Sequence, residues 1–143
     1  MPIRPELKGF YPIDWVELSR VIRFERAGGR CEHCGRPHGL TISHLGDGRW
    51  FDPDAEIWRD GQGKEIAWID YRDYSGVIKQ TRIVLATAHL NHDPTDNRLR
   101  NLKALCQRCH LLHDREEHRV RRRLTHRKRR ALGDLFEGPY PWW

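Results

Sequence analysis

The chain has 143 residues, of which 38% are apolar and 32% charged, and a net charge of +6 at neutral pH. That length suits one domain with a modest core, of the kind that often relies on a bound metal. An isoelectric point near 9.5 favours an anionic partner, such as nucleic acid or an anionic membrane surface. No run of about 18 apolar residues is present, which excludes a transmembrane helix. Met1-Pro-Ile-Arg-Pro-Glu lacks the apolar stretch of a signal peptide, so the expected location is cytoplasmic, where thiols stay reduced.

Residues 1–12 carry three prolines and are expected to form an extended arm. Asp14 with Glu17 gives a D-x-x-E helix start, and Trp15, Leu18, Val21 and Ile22 follow at helical spacing until Gly28-Gly29 stops the helix. Arg20, Arg23 and Arg26 lie in its last turns, where they suit the helix dipole or could equally touch phosphate. Residues 45–80 form an insertion with turn signals at Gly46-Asp47-Gly48 and Asp60-Gly61-Gln62-Gly63, and with Trp50, Phe51, Trp58, Trp68, Tyr71 and Tyr74. Short strands or a packed loop are expected there, with the aromatics packing in a core in preference to stacking on bases.

Thr81 to Leu90 is β-branched and apolar, which predicts a strand ending near His89. From about Gln107 to Ala131 there is no Pro or Gly, and Leu111, Leu112, Val120 and Leu124 are interspersed with charge. That pattern predicts one long helix of roughly 37 Å, at about 1.5 Å per residue. Arg115 to Arg130 holds eight Arg and one Lys against two Glu, a local charge of +7, so the basic character belongs to this helical extension (115–131) alone. Residues 132–143 form an aromatic tail ending Tyr140-Pro-Trp-Trp143, suited to folding back on an apolar patch or to binding a partner. The whole reads as a single α+β domain over residues 1–143, with an N-terminal helix, an aromatic-rich insertion and a long basic C-terminal helix.

Two cysteine pairs stand out, Cys31-Glu-His-Cys34 and Cys106-Gln-Arg-Cys109. Thiolates at i and i+3 in a tight turn can both face one ion, and two such turns build a tetrahedral cage, so a structural zinc is expected. One ion there would clamp the N-terminal segment to the C-terminal helix. A closed cage of four thiolates has no open position and therefore supports the fold without catalysing. His33, inside the first pair, is expected to point outward.

Between and just beyond these pairs stand His89, His92, Asp93, Asn101, His110 and His113. A strand histidine facing a helix histidine fixed beside a zinc ligand is an arrangement that can hold a divalent ion and a base on either side of one phosphate. His38, His44, His118 and His126 are read as surface or structural residues.

The string Ala88-His-Leu-Asn-His-Asp-Pro94, followed by Arg100-Asn-Leu-Lys-Ala-Leu-Cys-Gln-Arg-Cys-His110, resembles the HNH nuclease motif. In that family a strand His, a central Asn and a helix His build a ββα-metal core, and the paired CxxC units match its zinc-containing subset. The motif covers about residues 81–114. The resemblance implies a metal-dependent DNA endonuclease leaving a 5′-phosphate and a 3′-hydroxyl. His89 would be the general base, Asn101 would hold the loop that orients His89, and His110 would ligate a catalytic divalent cation (Mg2+, Mn2+, Ni2+ or Zn2+). His113, His92 and Asp93 are candidate further ligands of that ion, and His113 could instead contact a phosphate. The chain departs from the family at Ala88, where an Asp or His ligand usually precedes the strand histidine. His89 could therefore be the ligand and His92 the base.

Arg119, Arg122, Arg123, Arg127, Lys128 and Arg130 are the expected DNA-phosphate contacts, giving salt-dependent binding largely indifferent to sequence. Two rivals stand beside the nuclease: a zinc-stabilised DNA-binding module with a degenerate site, and a nuclease acting within a phage packaging or mobile-element complex. A dimer is also compatible with the sequence. A zinc adaptor that binds a protein through the Trp-rich tail is the weakest reading.

Overall fold

The computed structural model describes residues 3, 5–70, 72 and 74–131, in two compact units, residues 1–110 and 111–143. It is a mixed helix and sheet protein, 36% helix and 21% strand, as the sequence predicts.

The N-terminal arm is not extended. Pro5 opens a 3-10 helix, Pro5–Phe10, because its ring presets a helical φ at a position whose N–H needs no partner, and Pro12 lies beyond the helix end. Helix α1, Trp15–Arg20, runs directly into a π-helical turn, Val21–Arg26. Asp14 takes the N-cap position without a side-chain capping bond. Glu17 turns instead to the Arg20 guanidinium at 2.7 Å, so the reciprocal D-x-x-E box does not form. Gly28 and Gly29, at φ 60° and 70°, end the helix, and the Gly29 N–H returns to the Arg23 carbonyl.

The buried side of this segment, Ile22 with Trp15, Leu18 and Ala27, packs against Leu102 and Ala104. Its arginines are engaged within the fold. Arg20 pairs with Glu17 and Glu25, Arg23 donates to the Ser19 and Leu85 carbonyls, and Arg26 donates to the carbonyls of Leu99 and Leu102 and to Glu32.

The insertion builds most of an antiparallel sheet from β1 (Thr41–His44), β2 (Trp50–Asp52), β3 (Ile57–Arg59) and β4 (Lys79–Arg82), in the order β3-β2-β1-β4. Trp50 and Trp58 are buried and Phe51 meets the edges of Trp58 and Trp68, so the aromatics pack as expected, with Trp68 left exposed. Asp52, only 1% exposed, accepts from Arg59 at 2.8 Å and from the Asp54 N–H, with Arg30 beside it at 3.5 Å. Burial raises its carboxyl, but Arg59, Arg30 and the Asp54 amide outweigh that and hold it below the usual carboxylate range.

A second antiparallel pair, β5 (Leu85–His89) and β6 (Leu102–Cys106), aligns Leu85 with Cys106 and His89 with Leu102, and leads straight into helix α2, Gln107–His113. The strand expected over 81–90 is thus divided between two sheets. At Ile83 the backbone bonds Leu40 and Gly39 instead of either ladder, and the Val84 N–H goes to the Gln107 carboxamide, so the chain leaves one sheet and enters the other.

The long helix expected over 107–131 is also divided, into α2 and α3, Arg115–Ala131. Between them, the Asp114 carbonyl takes the His118 N–H at 2.9 Å as the first bond of α3. Aspartate favours such an N-cap, and Glu116 and Glu117 in the first turn reinforce a fresh helix start. No residue of α3 is buried. The aromatic tail and Tyr71 lie outside the described residues. Among the described residues, no helix is long and apolar enough to cross a membrane.

Asp52 should carry a pH-dependent share of the stability. Its folded carboxyl sits below the unfolded value near 3.9, so its contribution is full above that value and is lost as pH falls through the folded one. Asp52→Ala should cost about 2 kcal/mol at neutral pH in chemical denaturation. The gap from the parent protein should narrow as pH falls from about 5 toward 3.

Candidate functional site

The first cysteine pair sits in a tight turn just after the N-terminal helix. The Cys31 N–H donates to Arg36, the Gly35 N–H donates back to the Cys31 carbonyl, and Gly35 takes φ 77°. The Cys34 carbonyl would lie 2.8 Å from a Cβ on Gly63, so only glycine lets the β3 loop lie against this turn. The second pair is placed by regular structure, with Cys106 ending β6 and Cys109 in the first turn of α2. All four sulfurs lie within 4.8 Å of one another and all four residues are buried. The Cys34 and Cys106 sulfurs are 3.6 Å apart, well beyond disulfide bonding, and the Cys106 N–H points at the Cys31 sulfur at 3.3 Å.

The four thiols compete for negative charge. Hydrogen bonds from Cys106, then Cys109 and Cys34, draw the Cys31 thiol far down, while those of Cys34 and Cys109 are pushed far up, Cys106 being the largest influence on each. Cys106 comes down to about 7, chiefly through Cys109. A dication at the centre removes this competition by letting all four ionise, so the group can hold a metal ion such as zinc. His33 is exposed and points away from the cage.

His89, at the end of β5, is only 8% exposed. Trp15 stacks on its ring at 5.0 Å and Tyr11 meets it edge-on at 5.6 Å. Nε2 lies 2.9 Å from the Asn97 carboxamide oxygen. The Asn97 amide donates to the carbonyls of Pro94 and Thr95, which fixes the oxygen toward the ring. Because a carboxamide oxygen only accepts, Nε2 carries a proton toward Asn97. Sequence reasoning missed Asn97, Tyr11 and Trp15 as neighbours of His89. The Pro-Thr-Asp-Asn turn signal at 94–97 was visible, but nothing in the spacing pointed it at His89.

Asn101 is buried at the foot of the same loop. Its carboxamide accepts the Asn91 N–H and donates to the Asn91 side chain and the Asp96 carbonyl, and its backbone carbonyl takes the Leu90 N–H. The segment that leaves His89 is thus tied back to the start of β6. Within it, His92 is half-buried and takes a left-handed φ of 60°. Asp93 is held below the usual range, first by the Thr95 hydroxyl and then by the Thr95 N–H. Ala88 is 3% exposed, packed in the core cluster that contains the four cysteines. His110, half-buried, follows Cys109 on α2, and His113 ends that helix in the second unit.

The remaining histidines of the first unit have fold-supporting roles. His38 accepts the Leu85 N–H, and burial, then Arg23 and Arg82, lowers it. His44 bonds Thr81 and the Gly46 N–H.

In α3, at about 100° per residue, Arg115, Arg119, Arg122, Arg123, Arg129 and Arg130 share one face with His118 and His126. Val120, Leu124 and Ala131 lie opposite. Of the expected phosphate contacts, Arg127 and Lys128 therefore flank the apolar side, apart from Arg119, Arg122, Arg123 and Arg130. Arg119 pairs with Glu116 and Arg121 with Glu117.

Metal analysis of the purified protein should find one zinc per chain, and Cys34→Ser or Cys106→Ser should lose it along with the cooperative thermal transition. Structural zinc contributes on the order of 10 kcal/mol in small folds. A folded protein containing no metal would sink the assignment.

Comparison with protein-family models, with curated proteins and with solved structures finds no match to this chain.

Proposed function

We propose that the protein is a metal-dependent endonuclease that hydrolyses DNA phosphodiester bonds, built on a zinc-stapled ββα-metal core of the HNH type. The order β5, β6, α2 supports this reading, with His89 closing the first strand, Asn101 entering the second and His110 on the helix that the cysteine cage anchors. The observation that carries it is the fixed His89 ring at the end of β5, oriented by the Asn97 carboxamide oxygen at 2.9 Å from Nε2.

In the reaction, His89 accepts a proton from the attacking water as the water oxygen bonds to phosphorus. The bond from phosphorus to the 3′ oxygen breaks and that oxygen takes a proton from solvent, leaving a 5′-phosphate and a 3′-hydroxyl. Asn101 and Asn97 keep the loop and the imidazole in register through this step. A divalent ion, for which His110, His92 and Asp93 are the candidate ligands, would supply stabilisation of charge on the phosphate and leaving oxygen. The cationic face of α3 adds phosphate contacts that do not depend on sequence.

Two observations favour other readings. The burial of His89 between Trp15 and Tyr11 favours His92 as the base, with His89 in a supporting role. Ala88, buried in the core, leaves that position without a ligand and favours a DNA-binding module with a degenerate site.

Plasmid DNA incubated with Mg2+, Mn2+, Ni2+ or Zn2+ should be nicked or cut by the parent protein. His89→Ala and His110→Ala should each lower the rate by about 10²–10⁴-fold. Loss in His92→Ala with retention in His89→Ala would transfer the base to His92. DNA binding without cleavage under any of the four ions would leave the binding module, and unchanged cleavage in all three variants would sink the assignment.

A further inference from the structure

Outside the histidine loop, an unusual concentration of positive charge surrounds the turn between β1 and β2. Arg36, two residues past Cys34, is 4% exposed. Its Nη2 donates to the Gly48 carbonyl at 3.0 Å, its guanidinium lies 5.8 Å from the Trp50 ring, and its Nε is buried with no hydrogen-bond partner. Arg108, between Cys106 and Cys109, approaches the same glycine from another side. A Cβ on Gly48 would meet the Arg108 Nη2 at 2.5 Å, and one on Gly61 would meet it at 3.2 Å, so two glycines leave the slot this guanidinium fills. Gly48 also holds φ 114°, a conformation that disfavours any side chain.

Lys79 completes the group. It is exposed, aligned with His44 across β1 and β4, and its Nζ lies 4.0 Å from where a Cβ on Gly46 would be. None of Arg36, Arg108 and Lys79 has a carboxylate partner among the described residues, and the one acid of the turn, Asp47, is taken by Arg49 at 2.6 Å. His44 is lowered first by burial and then by Arg36, Lys79 and Arg108, so the three cations act on one spot. Gathering cations around one turn, with a buried one among them, is costly unless an anion compensates them.

We propose that the β1–β2 turn, with Lys79, Arg108 and the buried Arg36, is a binding site for a phosphate group. Lys79 and the half-buried Arg108 make the contacts, and Arg36 reinforces their charge from beneath. Both arginines hang from the cysteine turns, so the metal cage that fixes His110 also fixes this site. In the nuclease reading, on which this identification of the ligand rests, the phosphate belongs to the DNA backbone away from the scissile bond.

The test uses inorganic phosphate against chloride at matched ionic strength, read as the thermal midpoint, with Lys79→Gln as the principal variant because that side chain is exposed. Phosphate should raise the parent midpoint by roughly 3 °C and should leave Lys79→Gln and Arg108→Gln nearly unmoved. No rise in the parent, or an equal rise in both variants, would overturn the site.

Duplex DNA binding then separates this proposal from the nuclease one. Each variant should reduce the slope of log affinity against log salt by about 0.9. A reduced slope in a protein that cleaves nothing would retain the site and reject the nuclease. A phosphate-dependent midpoint without DNA binding would keep the site and make its ligand a smaller phosphate ester. A slope unchanged in both variants would remove DNA from this site.

Discussion

The meeting of four cysteine sulfurs is the constraint on which the rest of the first unit depends. Cys34 and Cys106 stand 72 positions apart in the chain, yet their sulfurs are 3.6 Å apart. A core of this size, in which the largest cluster of buried residues already includes the four cysteines, has little other apolar mass to close so long a loop. The cage does more than close it. Each cysteine turn continues directly into residues given a role in the proposed nuclease and phosphate sites, with Arg36 after one, and Arg108 and His110 within and after the other. Binding one ion therefore sets the relative positions of groups that the two sheets alone would hold loosely.

Around that centre, the polar interactions divide into two kinds. Arg26 and Arg23 spend their donors on backbone carbonyls of β5, β6 and the turn before β6, joining the N-terminal helix to the hairpin through groups that would otherwise lack partners. Arg59 and Arg30 offset the desolvation of Asp52 in the four-stranded sheet. Arg36 and Arg108 also reach backbone carbonyls, those of Gly48 and Gly61, but neither they nor Lys79 pairs with a carboxylate among the described residues. They bring charge to one place without neutralising it, a different use of the same residue types in the same small protein.

Much of this was legible in the sequence because short spacings report local geometry. The CxxC pairs implied a cage, Gly28-Gly29 implied a helix end, and the aromatic residues of the insertion implied core packing within short strands or a packed loop. What sequence periodicity could not show was competition between neighbouring elements for the same backbone. TRIVLATAHL reads as one strand, but Leu40, Gly39 and Gln107 take the hydrogen bonds of its middle residues and divide it. Gln107 to Ala131 reads as one helix, but the chain turns at Asp114 and a second helix starts at Arg115. The same limit applies at His89. Its place at a strand end was readable, whereas its contacts come from Tyr11, Trp15 and Asn97, which tertiary folding alone brings to it.

α3 is a helix that buries none of its side chains. Its order is therefore maintained by backbone hydrogen bonds and the ion pairs of Arg119 with Glu116 and Arg121 with Glu117, in competition with repulsion along a face of six arginines. An isolated helix of this length is marginal in water. Mobile counter-ions and any bound polyanion act on that repulsion directly, so the helicity of this segment is a function of its ionic surroundings. Folding and charge neutralisation are there a single coupled equilibrium, and part of any binding free energy goes into ordering the segment that binds.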